Sequence, residues 1–261
     1  MKILVFVKQV PDTDDVQLDP KTGNLRREGV KSMMNPLDAN AVEAALLLRE
    51  KYGGSVAALC MGPPQASEVL KKALGMGCDE GFLLSDRAFG GADTLATAYT
   101  LAKAAQKVGD YDLLLFGRHA VDGDTAQTGP ATAAFLDIPQ ITLAASIDVE
   151  DGWVVCDRIL GATRQRVKAK MPALVTVCGD INKPRYATPI NIMRAQKKPR
   201  TTWGADDLGC ERPRVGVPGS PSSTKGIFAP PKRNTDTTYF TGEPEAMAKA
   251  FADMLEAEHI I

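Results

Sequence analysis

Short runs of apolar and β-branched residues alternate with longer amphipathic stretches through the first half of the chain. This is how a parallel sheet joined by crossover helices reads in sequence. Strands are predicted over 2–8, 55–61, 81–84 and 112–116, and helices over 36–52, 65–74 and 93–108. The first helix has a defined start: Asn35 can accept a hydrogen bond from the first-turn amides, and Pro36 at the first helical position gives up no bond. Gly53-Gly54 ends it. In the third helix Leu95, Tyr99 and Ala102 share one face at helical spacing, which reads as core.

Past Pro139 the pattern changes to strands at 141–149, 153–157, 165–168 and 173–177, broken by turns such as Asp151-Gly152. These predict a β-rich extension of the same sheet. From Ile181 the chain reads as loop, punctuated by Pro184, Pro189, Pro199, Pro213, Pro218, Pro221, Pro230 and Pro231. About 60 residues without periodicity are uncommon inside a compact domain. A helix over 244–258 follows, with Met247, Phe251, Met254 and Leu255 on one side. That face either docks on another chain or folds back on its own domain. The expected organisation is an α/β nucleotide-binding domain over 1–200, an extended arm over 201–235 and a C-terminal helix over 236–261 that docks on a second subunit.

Composition narrows the function. The chain of 261 residues is 44% hydrophobic and 24% charged, with 31 basic against 32 acidic residues, so global charge favours neither nucleic acid nor a membrane surface. The first apolar run is far shorter than a signal-peptide core or the ~20 residues of a spanning helix. Cys60, Cys78, Cys156, Cys178 and Cys210 are odd in number, widely spaced and without a CxxC, as suits a reducing cytoplasm. With only two histidines, His119 and His259, and no nucleophile elbow, self-contained hydrolytic chemistry is not indicated.

The most informative segment is the loop over 117–130, which leaves a strand and enters a helix-compatible stretch at 131–136. Ligands of open α/β sheets bind outside the carboxyl ends of the strands, where this loop must lie. Gly117, Gly123 and Gly129 would let backbone approach a ligand, and Thr125, Gln127 and Thr128 supply donors beside a helix start that attracts phosphate. Asp122 and Asp124 would repel phosphate, so they brace the turn or bond ribose hydroxyls or amides. A merely polar connection remains the plain alternative. No GxxxxGK[ST] occurs, and the Gly75-Met76-Gly77 stretch runs from helix to strand, the reverse of a dinucleotide fingerprint.

Four separated motifs resemble the β subunit of electron transfer flavoprotein, in order, from Met1 to about Lys198. They are Asn35-Pro36-Leu37-Asp38-Ala39-Asn40-Ala41-Val42-Glu43-Ala44-Ala45, Met61-Gly62-Pro63, the 117–130 loop and Asn182-Lys183-Pro184-Arg185-Tyr186-Ala187-Thr188. The resemblance implies a layered α/β fold like that of the adenine-nucleotide α-hydrolases. It also implies a heterodimer whose α subunit carries FAD while the β subunit holds an adenine nucleotide. By position that nucleotide would contact Phe6, Val7, Asn35, Leu37, Asp38, Met61, Gly62, Gly117, Arg118, His119, Asp122, Gly123, Asp124, Thr125, Ala126, Gln127 and Thr128.

In conventional members the nucleotide is AMP, a structural ligand; in electron-bifurcating members it is a second FAD. The Asp122-Gly123-Asp124-Thr125-Ala126-Gln127 run is similar to the bifurcating type, as is Phe89-Gly90-Gly91-Ala92-Asp93-Thr94-Leu95-Ala96-Thr97 after Ser85-Asp86. Small residues there leave room for a flavin or nicotinamide, and Asp93, Thr94 and Thr97 present polar groups at a helix start. The chain departs from that type at Thr128 and Ala98, neither of which would close the site. The implied activity is a redox subunit fed by NADH. It would divide electrons between a high-potential acceptor, reached through the α-subunit flavin and a partner dehydrogenase, and a low-potential carrier such as ferredoxin or flavodoxin.

The basic segment 183–200 resembles the family's recognition loop for that dehydrogenase, with Arg185, Tyr186, Pro189, Ile190 and Met193 as docking residues; a solvated linker is the alternative. A leucine that often anchors such docking is replaced near Pro189-Ile190. A hydrolase sharing the layered fold would need phosphate-loop signatures that are missing.

Overall fold

The computed structural model of the chain describes residues 1–12, 31–223 and 237–261. It divides into two compact units, Met1–Lys225 and Gly226–Ile261.

The larger unit is built on a nine-stranded sheet. Along the chain run β1 (Lys2–Val7), β2 (Gln9–Pro11), β3 (Ser32–Met34), α1 (Pro36–Tyr52), β4 (Ser55–Met61), α2 (Ser67–Met76), β5 (Glu80–Leu84), α3 (Thr94–Val108), β6 (Leu113–Gly117) and α4 (Thr128–Leu136). Then come β7 (Gln140–Glu150), β8 (Trp153–Leu160), β9 (Thr163–Lys170), β10 (Ala173–Val177), α5 (Pro189–Ala195) and β11 (Arg200–Trp203). The sheet order is β11-β5-β4-β1-β6-β10-β7-β8-β9, parallel from β11 to β7 and antiparallel over the last two pairings. β2 and β3 form a separate antiparallel pair.

The parallel strands read as unbroken apolar runs because helices cover both of their faces. Ile3, Val5 and Val7 of β1 face a core shared with Val42 and Leu46 of α1 and Leu70 and Leu74 of α2. Leu4 and Phe6 face the opposite core, with Tyr99 and Leu101 of α3 and Ala133 of α4. Each fully buried aliphatic side chain of this kind contributes ~1.5–3 kcal/mol. β8 is buried only over Val154, Val155 and Cys156, and in β9 only Ala169 is buried, while Arg164, Arg166, Lys168 and Lys170 stand in solvent along the sheet's edge. Charged residues on an edge strand discourage other chains from adding to it.

The β-rich extension is thus continuous with the main sheet, as the sequence suggests. Two expectations are corrected. Asn35 precedes α1 but makes no side-chain cap, because its amide is used elsewhere. The arm expected from residue 201 does not begin there: β11 pairs in parallel with β5, from Arg200↔Gly81 to Trp203↔Leu84, and the Trp203 and Phe82 rings stack at 4.6 Å. Ala205, Leu208 and Val215 follow into the second core, and the Arg214 guanidinium lies over the Tyr99 ring at 4.1 Å. These contacts are long-range, which is why a proline-rich stretch without periodicity can still be core. The rest of the expected arm, residues 224–235, lies outside the described residues.

In the smaller unit α6 (Pro244–Ala257) starts on a proline, and Phe251 packs edge-on to Phe240 at 5.8 Å. Among the described residues no helix is long and apolar enough to cross a membrane.

Candidate functional site

β1 and β6 are neighbours, but the chain leaves them in opposite directions, through α1 to β4 on one side and through α4 to β7 on the other. Where two such connections part, the carboxyl edge of a parallel sheet opens a crevice. Its floor is firm, since the Phe6 and Phe116 rings near the two strand ends stack at 4.0 Å.

Buried polar groups hold the crevice walls. Asn35, fully buried, donates through Nδ2 to the His119 carbonyl at 2.8 Å and accepts at Oδ1 from the Val121 amide at 3.2 Å. Asp38 turns its carboxylate into the fold, accepting from the Lys8 amide at 2.8 Å and the Gly117 amide at 3.2 Å. Burial pushes its pKa up to about 7, against the pull of hydrogen bonds from Asn35, Lys8 and Gly117 and of the Lys8 charge. Across the opening Lys8 Nζ meets Asp122 at 2.7 Å.

The 121–127 stretch is exposed, with Asp124 and Ala126 held at φ of 46° and 54°. Such left-handed conformations in residues with a Cβ cluster at functional loops. His119 Nδ1 lies 3.1 Å from Arg118 Nε and 3.2 Å from an Asp124 oxygen. One nitrogen cannot accept from the first and donate to the second; the guanidinium always carries its proton, so Arg118 is the donor and Asp124 a neighbour.

Of the three glycines expected to admit a ligand, two answer to internal packing. A Cβ on Gly117 would collide with Asp38 Oδ1 and lie 2.7 Å from the Leu37 carbonyl carbon, and one on Gly129 would lie 2.8 Å from Thr176 Cγ2. Gly123 alone among the three has open space around it.

Two helices start here. Gln127 precedes α4 without capping it by a side-chain bond. Pro130 has no N–H and Ala131 donates to the Gln127 carbonyl at 3.0 Å, so among the described residues the Thr128 and Gly129 amides are the first-turn donors left for an outside acceptor. The Gln127 side chain accepts from Thr94 Oγ1 at 3.2 Å, which brings the start of α3 against the start of α4.

α3 is capped from within. Asp93 Oδ1 accepts from the Leu95 and Ala96 amides at 2.9 and 3.0 Å, and Oδ2 from the Ser222 amide and hydroxyl at 3.1 and 2.8 Å. Burial raises its pKa, but these bonds together hold it below the usual carboxylate range. The Asp93 carboxylate, expected at the cofactor, is therefore engaged within the chain. Thr94 and Thr97 remain half-buried beside it. Met61 ends β4, which pairs with β1 on one side, and the Gly62 amide just past it donates to the Leu84 carbonyl of β5 at 3.0 Å.

The strand ends and helix starts named from the sequence thus meet along one edge, Leu37 sitting half-buried in the first turn of α1 and Val7 buried at the end of β1. Lys8 and the Ser222 latch went unforeseen. Their partners lie 114 and 129 residues away, and no local pattern marks them.

Within the docking segment, Arg185 is tied to the fold. Arg185 is bonded to Glu43 at 2.9 Å and to Glu50 at 2.5 Å, both on α1, and these carboxylates hold its pKa above the ordinary arginine value. It braces the segment against α1. Thr188 caps α5 by accepting from the Asn191 amide, Pro189 opens the helix, and Tyr186, Ile190 and Met193 stand 92%, 61% and 69% exposed.

Comparison with known proteins agrees with this architecture. The electron transfer flavoprotein domain matches residues 22–208. The chain is 43% identical to the caffeyl-CoA reductase-Etf complex subunit CarD of Acetobacterium woodii over the full length of both. It is 45% identical to the electron transfer flavoprotein subunit beta of Clostridium acetobutylicum over 86% of each chain. It is 37% identical to the acryloyl-CoA reductase electron transfer subunit gamma of Anaerotignum propionicum over the full length of both. The chain therefore belongs to the electron transfer flavoprotein family, as a β subunit, and its work is electron transfer.

Proposed function

We propose that this chain is the β subunit of an electron-bifurcating complex. With an α subunit carrying its own FAD, it would take electron pairs from NADH and divide them between a high-potential acceptor and a low-potential carrier such as ferredoxin or flavodoxin. Relatives that belong to caffeyl-CoA and acryloyl-CoA reductase complexes support the reading. So does one feature of the crevice: an uncapped α4 start joined by Thr94–Gln127 to the start of α3, under an exposed loop held open by Asn35 and Lys8.

These residues fit a diphosphate. The free Thr128 and Gly129 amides, with the Thr125 and Thr128 hydroxyls, form an anion-binding donor set at the positive end of a helix. Open space at Gly123 lets the backbone close on a ligand. An adenosine would lie by the ends of β1 and β4, near Val7, Met61 and Gly62, and the rest of the ligand would extend towards Thr94 and Thr97 at the start of α3. FAD, when bound, supplies hydride acceptance and one-electron release. Every task of the chain is then to bind, orient and exclude water, with the Lys8–Asp122 pair steadying the loop beside the ligand. Tyr186, Ile190 and Met193 form an apolar knob on a braced scaffold, fitting the docking of a partner dehydrogenase. The apolar side of α6 serves the α subunit.

The deciding measurement is the number and identity of flavins and nucleotides extracted per native heterodimer. Two FAD, with NADH-dependent flavin reduction, is the expected result. One FAD accompanied by AMP would make the chain a conventional, non-bifurcating β subunit.

A further inference from the structure

Asp38 sits in the first turn of α1, buried to 7% exposure, and its two oxygens reach different strands. Oδ2 takes the amide of Lys8, one residue past β1, and Oδ1 takes the amide of Gly117, the last residue of β6. These are the two chain segments that part to open the crevice. A group gripping both fixes their separation, and Gly117 has no Cβ to stand in the way. Asn35 extends the same support to residues 119 and 121.

We propose that Asp38 is a positioning residue that works as a proton-sensitive clamp: ionised, it holds β1 and β6 so that the 117–128 loop can retain the nucleotide, and a proton from solvent releases one amide. This deepens the nucleotide-site reading above and rests on it. Among the described residues, the titratable groups facing the carboxylate are few. Lys8 directs its ammonium to Asp122, the Cys60 thiol of β4 is kept neutral by burial at about 12, and β6 presents the Gly117 backbone. Burial brings the titration of Asp38 close to neutrality. A protonated carboxyl has one oxygen turned to a donor, and the longer bond, to Gly117, is the one lost.

The test is release of bound FAD, or of AMP as the probe, from the native heterodimer between about pH 8 and about pH 6, followed by fluorescence. Release from the wild type should quicken about tenfold on acidification, the equivalent of one lost hydrogen bond. Asp38→Asn keeps the shape but cannot accept on both sides. It should release at the fast rate throughout, with no inflection. A wild type without an inflection, or the same inflection in the variant, overturns the clamp.

If neither FAD nor AMP binds, the nucleotide reading fails, and the clamp is judged alone by NMR of the isotope-labelled full chain. The Lys8 and Gly117 amide shifts should move with the Asp38 carboxyl carbon at one midpoint. Amides indifferent to that titration overturn it.

Discussion

Gly117 and Gly123 lie in one loop yet answer to different constraints. A methyl group at 117 would push into Asp38 and the backbone of α1, while one at 123 meets nothing within 4 Å. Gly117→Ala should therefore cost about 1–3 kcal/mol in denaturant unfolding, the range for overpacking, and Gly123→Ala no more than about 0.5. Asp38 shapes the pH dependence of stability as well. Its folded pKa is raised from 3.8 to about 7, so between these values the folded state carries a proton that the unfolded chain has lost. Its contribution is full below the lower value and declines as pH climbs to the upper one, at a limiting slope of about 1.4 kcal/mol per pH unit. Subtracting the pH profile of Asp38→Asn from that of the wild type should isolate this fall. A difference that is flat or rises with pH would contradict the burial-driven shift. None of this shows in sequence: Asn35 and Asp38 read as a helix start because that is what such residues do locally, and their actual partners are distant backbone amides.

The elements were legible in proportion to how local their causes are. α1 and β4 have the bounds expected from Pro36, the Gly53-Gly54 break and an apolar run. α5 and β11 were hidden, the first because only Ala195 of its seven residues is buried, the second because its four residues gain their place from Phe82 and the free edge of β5. α5 also depends on Arg185, which ties the chain before it to α1. Arg185→Ala leaves Glu43 buried without its cation and should cost about 2–4 kcal/mol, less than a fully desolvated pair because Arg185 is partly in solvent. Adding Glu43→Gln should return much of that loss in thermal melts. Introducing a charge on the apolar knob, as in Met193→Glu, should change stability by less than about 0.5 kcal/mol while, on the docking proposed above, slowing electron delivery to a partner dehydrogenase. An unchanged rate at limiting partner concentration would place the docking surface elsewhere.

For the molecule as a whole, the place of the site could be read from the alternation of strands and helices, whereas its wiring could not. The parting of connections at β1 and β6 puts the crevice where the 117–130 loop must be, yet what braces that loop comes from residues a hundred or more positions away. One such brace has a wider reach. Asp93 caps α3 with one oxygen and holds Ser222 with the other, so the first turn of that helix and the chain at Ser222 share a single carboxylate. Neither can detach without weakening the other. Amide deuterium uptake at residues 95–96 and at 222 should therefore follow one opening free energy, and both should accelerate together in Asp93→Ala, as a cooperative substructure does.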